Sequence, residues 1–189
     1  KKILIVITFL AIAYPQCNAE TIFDYAPNLQ GCDLPGFNFG QCSYTYGYAA
    51  CGYQSEFMQL TNGADFTGAN LEGANFYSPD GGYGDYGASM DNTNFTDANL
   101  KNANFKKAYI YGAIFTGANL EGANFTGANI EGPFVDFSNL NMKNTNWTNA
   151  NLSATTTLFN GADLTESNWV GGNLFNSYGE FKSFVDADL

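Results

Sequence analysis

From Ala64 onwards, the hydrophobic and polar positions of the chain recur every five residues. Each unit holds a small residue, a polar residue, a large apolar residue and two further residues, as in Ala118-Asn119-Leu120-Glu121-Gly122. A period of five fits neither the 3.6-residue period of an α-helix nor the two-residue period of a strand. It predicts short extended segments separated by corners, with the apolar residues inside and the polar residue outside. The small residue is mostly alanine, with Thr93, Thr145, Thr157, Ser167 and Gly172 as variants.

The large apolar residues sort into four columns when about four units are assigned to each coil of a solenoid. The first column is Phe66, Phe95, Phe115, Phe137 and Phe159, and the second is Leu71, Leu100, Leu120, Met142 and Leu164. The third column is Phe76, Phe105, Phe125, Trp147 and Trp169, and the fourth is Met90, Ile110, Ile130, Leu152 and Leu174. Columns one and three are aromatic, and columns two and four are aliphatic. Because a shifted register would mix these types, the columns predict stacked coils of about twenty residues.

Three insertions interrupt the repeat, and the columns place each of them at a corner of the solenoid. Pro79–Gly87 lies between a third and a fourth face, whereas Pro133-Phe134 and Thr155-Thr156 each follow a fourth face. Corners tolerate extra residues best because the ladder hydrogen bonds run along the faces. The larger inward residues Val135 and Leu140 are expected to distort their coil.

The recurrent Ala-Asn/Asp-Leu/Phe motif resembles that of the pentapeptide-repeat proteins. The resemblance covers residues 64–176 well and residues 27–46 loosely. It implies an all-β fold, a right-handed quadrilateral β-helix (solenoid) with about five regular coils over residues 64–189. A degenerate N-terminal coil would precede these coils, and the last coil would be incomplete. The resemblance implies little about activity, because one fold serves many functions.

The first 19 residues have the pattern of a secretory signal peptide. Lys1-Lys2 precede an apolar run, and Cys17-Asn18-Ala19 supplies small residues near a cleavage site. The run is too short to cross a bilayer as a helix. We therefore expect export to the periplasm, the cell surface or the extracellular space, with no stable membrane insertion after cleavage. Lipidation at Cys17 and an uncleaved N-terminal strand are the alternatives.

Residues 20–63 predict an irregular N-terminal coil and a cap rich in glycine and tyrosine. The five-residue step persists at Leu29, Leu34, Phe39 and Tyr44. Three cysteines in an exported segment indicate one disulfide and one spare thiol. Cys32 and Cys51 lie nearly one coil apart, so a disulfide can join them, with Cys42 to Cys51 as the alternative. Small, buried core cysteines are the other interpretation.

The composition disfavours catalysis and a metal centre. The chain has no histidine, and it lacks a nucleophile elbow, a phosphate-binding loop and an isolated pair of carboxylates. We therefore expect a non-enzymatic protein without a cofactor or a metal. The formal net charge of −11 disfavours binding to nucleic acid or to anionic lipid.

The insertion at the third corner is a candidate partner-binding loop. It carries Asp80, Tyr83, Asp85 and Tyr86, and tyrosine is enriched at protein contact surfaces. The aspartates lack the spacing of a calcium loop, so metal binding there is disfavoured. A plain corner loop without a partner is the alternative.

The C-terminal segment is a candidate assembly end. Phe181 continues the first column and Leu189 the second, so the sequence stops about half-way round a coil. An uncapped coil exposes strand edges and apolar surface, which predicts end-to-end stacking of rods or a two-fold dimer. A truncated sequence is the other explanation.

These features predict an exported, non-enzymatic structural or protein-binding scaffold that self-assembles end to end into filaments. The alternative, suggested by the resemblance, is a DNA-mimic protein that binds a type II topoisomerase such as gyrase. A DNA mimic needs acidic residues along its outer faces, but many outward positions are asparagine, and Lys101, Lys106 and Lys107 interrupt the negative field. A surface factor that acts on a host, like an adhesin, is a third possibility.

A supercoiling assay separates the scaffold from the DNA mimic. We expect the purified protein at micromolar concentration to leave DNA supercoiling by gyrase unchanged, because the outward positions do not form a continuous acidic field. Inhibition of supercoiling, or protection of gyrase from an inhibitor, would favour the DNA mimic.

Overall fold

The computed structural model shows a parallel β-solenoid with four faces per coil. It describes residues 28–37, 39, 43–45, 48–50, 63–78, 86–132, 134–153 and 156–173. The strands within these residues are β1 (Ser43–Thr45), β2 (Tyr48–Ala50), β3 (Tyr77–Ser78), β4 (Tyr86–Gly87), β5 (Tyr109–Tyr111), β6 (Asn129–Glu131), β7 (Val135–Asp136) and β8 (Thr157–Leu158). Strands β1 and β2 form an antiparallel hairpin, as do β3 and β4. The strands are short because a corner follows every few residues.

Parallel bridges join each coil to the next and confirm the predicted columns. The second face is bridged through Asp33, Asn70, Asn99, Asn119, Asn141 and Asp163, and the third through Asn75, Asn104, Asn124, Asn146 and Asn168. The fourth face is bridged through Ser89, Tyr109, Asn129, Asn151 and Asn173. Bridged residues lie 20 positions apart where no insertion intervenes, as in Asn99 and Asn119, and 22 apart across a two-residue insertion, as in Asn119 and Asn141. These spacings agree with the insertions that the sequence predicts between faces.

A coil also precedes the regular repeats, in the register expected from the sequence. Asn28 bridges to Asp65, and Asp33 bridges to Asn70. The backbone N–H of Phe39 donates to the carbonyl of Asn75 at 2.7 Å, which continues the pairing on the third face. The N-terminal coil therefore shares the core of the solenoid.

Many of the described corners without an insertion are type II turns. In one of them, the N–H of Ala103 donates to the carbonyl of Leu100 at 3.0 Å, and the intervening Asn102 has a φ of 58°. A positive φ at the third residue defines this turn type and favours glycine or asparagine. The turn changes the direction of the chain without reversing it, so two consecutive faces meet at a corner. The coil closes after four faces.

Aromatic rings form two stacks through the core. The rings of Phe125 and Trp147 lie 4.1 Å apart at 7° in the third column, while Phe137 meets Trp147 edge-on at 80°. Phe137 is tilted by 29° against Phe115, whereas the other stacked pairs of the described core lie within 16° of parallel. Val135 and Leu140 flank Phe137 and are buried, so this tilt agrees with the expected distortion of their coil.

The two tryptophans of the third column explain two exceptions at the small position. Trp147 Nε1 donates to Thr145 Oγ1 at 3.0 Å, and Trp169 Nε1 donates to Ser167 Oγ at 2.7 Å. A buried indole N–H needs an acceptor, whereas phenylalanine needs none. The small residues that precede the phenylalanines of this column are Ala74, Ala103 and Ala123. Each tryptophan is thus matched by a hydroxyl two residues before it.

Thr145→Ala is expected to lower the free energy of unfolding by about 1–3 kcal/mol, because the indole N–H of Trp147 then lacks an acceptor. Urea unfolding followed by circular dichroism measures the loss. In a Trp147→Phe background the same alanine substitution should have a much smaller effect, as phenylalanine has no donor. Equal losses in the two backgrounds would contradict this pairing.

Some of the glycines at corners lie close to a side chain of the preceding coil, and others do not. A Cβ added to Gly122 would overlap Oδ1 of Asn102, whereas one added to Gly68 would have no neighbour within 4 Å. Both glycines have positive φ, 71° and 66° respectively. An alanine at either position would therefore strain the backbone in the same way. Only the alanine at Gly122 would also meet a side chain of the neighbouring coil.

Gly122→Ala is expected to destabilise the protein more than Gly68→Ala, since both incur about 1 kcal/mol of backbone strain but only the first displaces Asn102. Thermal unfolding of the two variants measures the difference. Asn102→Gly should remove most of the additional loss at Gly122. If the two alanine variants were equally stable, the contact with Asn102 would have no energetic weight.

Candidate binding surface

The outward side chains of the second face alternate in charge and neutralise one another. Successive coils place Glu72, Lys101, Glu121 and Lys143 at the same position. Lys101 Nζ lies 3.0 Å from Glu121 Oε1, and Lys143 Nζ lies 3.1 Å from Asp163 Oδ2. The hydrogen bond and charge of Lys101 lower the pKa of Glu121. This face offers few uncompensated charges to a partner.

Asparagine side chains form a ladder on the third face. Asn104 Nδ2 donates to Asn75 Oδ1 at 2.8 Å, and Asn124 Nδ2 donates to Asn104 Oδ1 at 3.4 Å. The Oδ1 of Asn104 also accepts the backbone N–H of Lys106 at 3.2 Å. Because the amides bond to one another and to the corners, they stabilise the face and leave little polar capacity for a ligand.

An exposed apolar surface lies where the fourth face meets the first. It consists of Tyr109, Tyr111, Ile114 and Phe134, which are 42%, 47%, 48% and 49% exposed, and we call it the aromatic corner. In β5 the two tyrosines point outward while Ile110 between them is buried. Strand alternation alone accounts for their direction, but not for their aromatic character.

Neighbouring coils carry polar residues at the equivalent positions. Tyr109 is bridged to Ser89 and to Asn129, and Ile114 is bridged to Asn94. The packing of the solenoid therefore does not require an apolar side chain at these outward positions. Exposed apolar side chains that occur together in this way are typical of a contact surface for another protein.

The aromatic corner spans two adjacent coils. The ring of Tyr111 lies over Gly132, where an added Cβ would be 3.3 Å from Cδ2 of the ring. Phe134 follows Gly132 by two residues and leads into the first face, on which Ile114 lies in the preceding coil. The stacking of coils thus brings Tyr111 against Gly132, a residue about twenty positions later in the chain.

Acidic side chains surround Tyr111. Glu131 pairs with Tyr111 in the β5–β6 ladder, and Asp91 takes the corresponding place in the preceding coil, where the N–H of Asn92 donates to the carbonyl of Tyr111 at 2.7 Å. None of the described fourth- and first-face units contains a lysine. The described lysines, Lys101, Lys106, Lys107 and Lys143, belong to units of the second and third faces. Of these four lysines, Lys107, at the corner before Tyr109, is the nearest to Tyr111 in sequence.

The predicted partner-binding loop falls largely outside the described residues. Of its four named residues, only the backbone of Tyr86 is described, and it pairs with Ser78 between the third and fourth faces. Asp80, Tyr83 and Asp85 lie outside. The insertion therefore starts and ends as a hairpin at the predicted corner, and its binding role stays a prediction.

Cys32 is buried and disulfide-bonded. Cys32 therefore lies in the core, as the core-cysteine interpretation expects, and it also forms a disulfide. Its predicted partner Cys51, and the alternative Cys42, lie outside the described residues. The pairing stays a prediction.

Several other predicted features lie outside the described residues. They are the signal peptide at 1–19 and the assembly end with Phe181 and Leu189. Among the residues that are described, no helix is long and apolar enough to cross a membrane. The same residues contain no group of three or more histidine, cysteine or acidic side chains that could hold a metal ion.

Sequence reasoning missed the aromatic corner as a site. The signal was present, because Ile114 replaces the polar residue of the repeat, and aromatic residues occupy both outward positions around Ile110. A single apolar residue at an outward position is common in soluble proteins, so none of these residues by itself indicates a site. Only the stacking of coils shows that they adjoin one another and Phe134.

Two sequence models of one family match the chain. The model described as a pentapeptide repeat region matches residues 88–169, and that described as pentapeptide repeats (8 copies) matches residues 62–78. Together they cover just over half of the chain. The chain belongs to the pentapeptide-repeat family. The family fold is a right-handed β-helix, in agreement with the parallel ladders described above.

Solved structures similar to this pentapeptide-repeat protein include other members of the family. One, a pentapeptide repeat protein from the Arabidopsis thaliana thylakoid lumen, is 28% identical, with 66% of this chain and 72% of that chain covered and a TM-score of 0.42. Another is Rfr23 from the cyanobacterium Cyanothece 51142, at 22% identity, 85% and 86% coverage and a TM-score of 0.30.

QnrB1, a plasmid-mediated fluoroquinolone resistance protein, is also similar, at 14% identity, with 87% of this chain and 76% of that chain covered and a TM-score of 0.43. These TM-scores are low, so the description of the fold rests on the ladders and the repeat. No curated protein matches the sequence.

The ion pair between Lys101 and Glu121 on the second face leads to a prediction about the pKa of Glu121. Lys101→Ala is expected to raise the pKa of Glu121, because it removes the hydrogen bond and the positive charge that lower it. NMR titration of the side-chain carboxyl measures the change, and Lys106→Ala on the third face serves as the control. A pKa of Glu121 that is the same in all three proteins would contradict the assignment.

The sign of the linked stability follows from the direction of this shift. Since the folded-state pKa lies below the unfolded value, the ion pair stabilises the protein above the unfolded pKa, about 4.3. Its contribution is lost as the pH falls through the folded pKa. The pair is solvent-exposed, so the effect on unfolding should be small.

Proposed function

We propose that this protein is an exported, non-enzymatic scaffold that binds another protein through the aromatic corner. The observation that carries the proposal is the half-exposed set of Tyr109, Tyr111, Ile114 and Phe134, because the positions bridged to Tyr109 and to Ile114 are polar. Burying these side chains against a partner would remove apolar area from water. The proposal includes the finer architecture of about five regular coils after an N-terminal coil.

The rigidity of the solenoid supports a role in binding. The backbone at Tyr111 is bonded to both neighbouring coils, because the N–H of Asn92 donates to the carbonyl of Tyr111 at 2.7 Å and the N–H of Gly112 donates to the carbonyl of Glu131 at 3.4 Å. A side chain on such a backbone is already positioned, so less conformational entropy is lost on association. The polar second and third faces, whose groups are largely bonded within the chain, would remain in water.

Export is supported by two independent features. The first 19 residues have the composition of a signal peptide, and Cys32 is disulfide-bonded. Disulfides persist mainly in oxidising compartments outside the cytosol. Fractionation of the native source, with mass spectrometry of the N-terminus and of alkylated thiols, tests this part. An uncleaved, fully reduced cytosolic protein would overturn it.

The gyrase-binding alternative has less support. Lys101 and Lys143 pair with acidic residues on the second face, so the negative field of that face is partly neutralised.

End-to-end assembly through Phe181 and Leu189 is a separate proposal, which electron microscopy of the native material tests. Filaments would support it, and discrete particles would overturn it.

Face-specific cross-linking in the native source tests the binding role. A photo-cross-linking residue is placed at position 111 in the aromatic corner or, as the control, at position 101 on the second face. We expect a discrete protein adduct from position 111 and none from position 101. Adducts from neither position, or equal adducts from both, would overturn the proposal.

A further inference from the structure

We infer that the aromatic corner recognises a cationic, apolar segment of its partner, with an arginine or lysine side chain over the ring of Tyr111. This inference rests on the proposed function, and it adds the chemistry of the partner. The apolar side chains of the segment would contact Ile114 and Phe134. The carboxylates of Asp91 and Glu131 would lie on either side of the bound cation.

The ladder places Tyr111 between two carboxylates. Glu131 is its direct partner in β6, and Asp91 occupies the same position one coil earlier. Coils paired as strands are about 4.8 Å apart, so each acidic residue begins one such spacing from Tyr111. A cation above the ring would therefore interact with the ring face and with both carboxylates.

The chain contains an intramolecular example of this kind of contact. On the third face, Lys106 Nζ lies 4.4 Å from the centroid of the Tyr77 ring, one coil away. The sequence has no arginine, and no lysine occurs in the described fourth- and first-face units. A lysine or arginine of a partner could cover the ring of Tyr111 in the same way.

The charge distribution argues against other occupants. A second copy of this chain would bring its own acidic surroundings to the interface, and both copies carry a formal net charge of −11. Nucleic acid and anionic membranes are repelled for the same reason. A cationic peptide segment complements the acidic surroundings of Tyr111, and its apolar side chains complement Ile114 and Phe134.

Binding of short synthetic peptides to the full chain tests the inference. The probe alternates arginine and leucine, one comparison peptide alternates glutamate and leucine, and another alternates arginine and serine. Fluorescence anisotropy at physiological salt measures the affinities. We expect the arginine–leucine peptide to bind at least about tenfold more tightly than either comparison peptide, since each lacks one half of the recognised chemistry.

Two variants locate the interaction, and a third controls for net charge. Tyr111→Ser removes the ring, and Asp91→Asn with Glu131→Gln removes the flanking charges. Glu72→Gln with Glu166→Gln removes the same charge from the second face. We expect each of the first two to weaken binding of the arginine–leucine peptide at least about tenfold, and the control to change it less than about twofold. Unchanged thermal unfolding shows that each variant is folded.

The outcomes separate this inference from the proposed function. Equal affinity in the Asp91/Glu131 variant and in its control, or tighter binding of the glutamate–leucine peptide, would overturn the cationic partner. A protein adduct from position 111 without binding of the arginine–leucine peptide would also overturn it, while the binding role stands. No adduct and no peptide binding would overturn both.

Discussion

The parallel backbone ladder between coils is the constraint on which the rest of this structure depends. Each extended segment donates to and accepts from the coils on either side, so every coil must present its faces in the same register as its neighbours. The aromatic stacks reinforce this register, because Phe66 lies parallel to Phe95, and Phe76 to Phe105. Each unit packs mainly against the units above and below it. The stability of the solenoid therefore comes mainly from the contacts between adjacent coils.

Exceptions to the repeat occur in matched sets because the ladder leaves so little freedom inside. A tryptophan in the third column is accompanied by a hydroxyl at the small position, as with Trp147 and Thr145. A glycine at a corner lies against an asparagine of the preceding coil, as Gly122 does against Asn102. The first relation is local in sequence and the second is set by stacking. In both cases an exception to the repeat is coupled to a residue at a neighbouring position.

The outward positions are free of that constraint, and they are where this protein can differ from other solenoids. On the second face, Lys101 and Glu121 neutralise each other, and on the third face asparagines bond along the ladder. The aromatic corner follows neither pattern. Its apolar side chains remain about half exposed, which is why binding is proposed there.

The sequence by itself determined the four columns, the twenty-residue coil and the positions of the insertions, because period and residue type report directly on burial. It also indicated a disulfide at Cys32. The tertiary structure alone decided that Tyr111 lies against Gly132 and beside Glu131. Contacts between coils join residues about twenty positions apart, and outward side chains are constrained by neither the period nor the core. Their neighbours are known only once the coils are stacked.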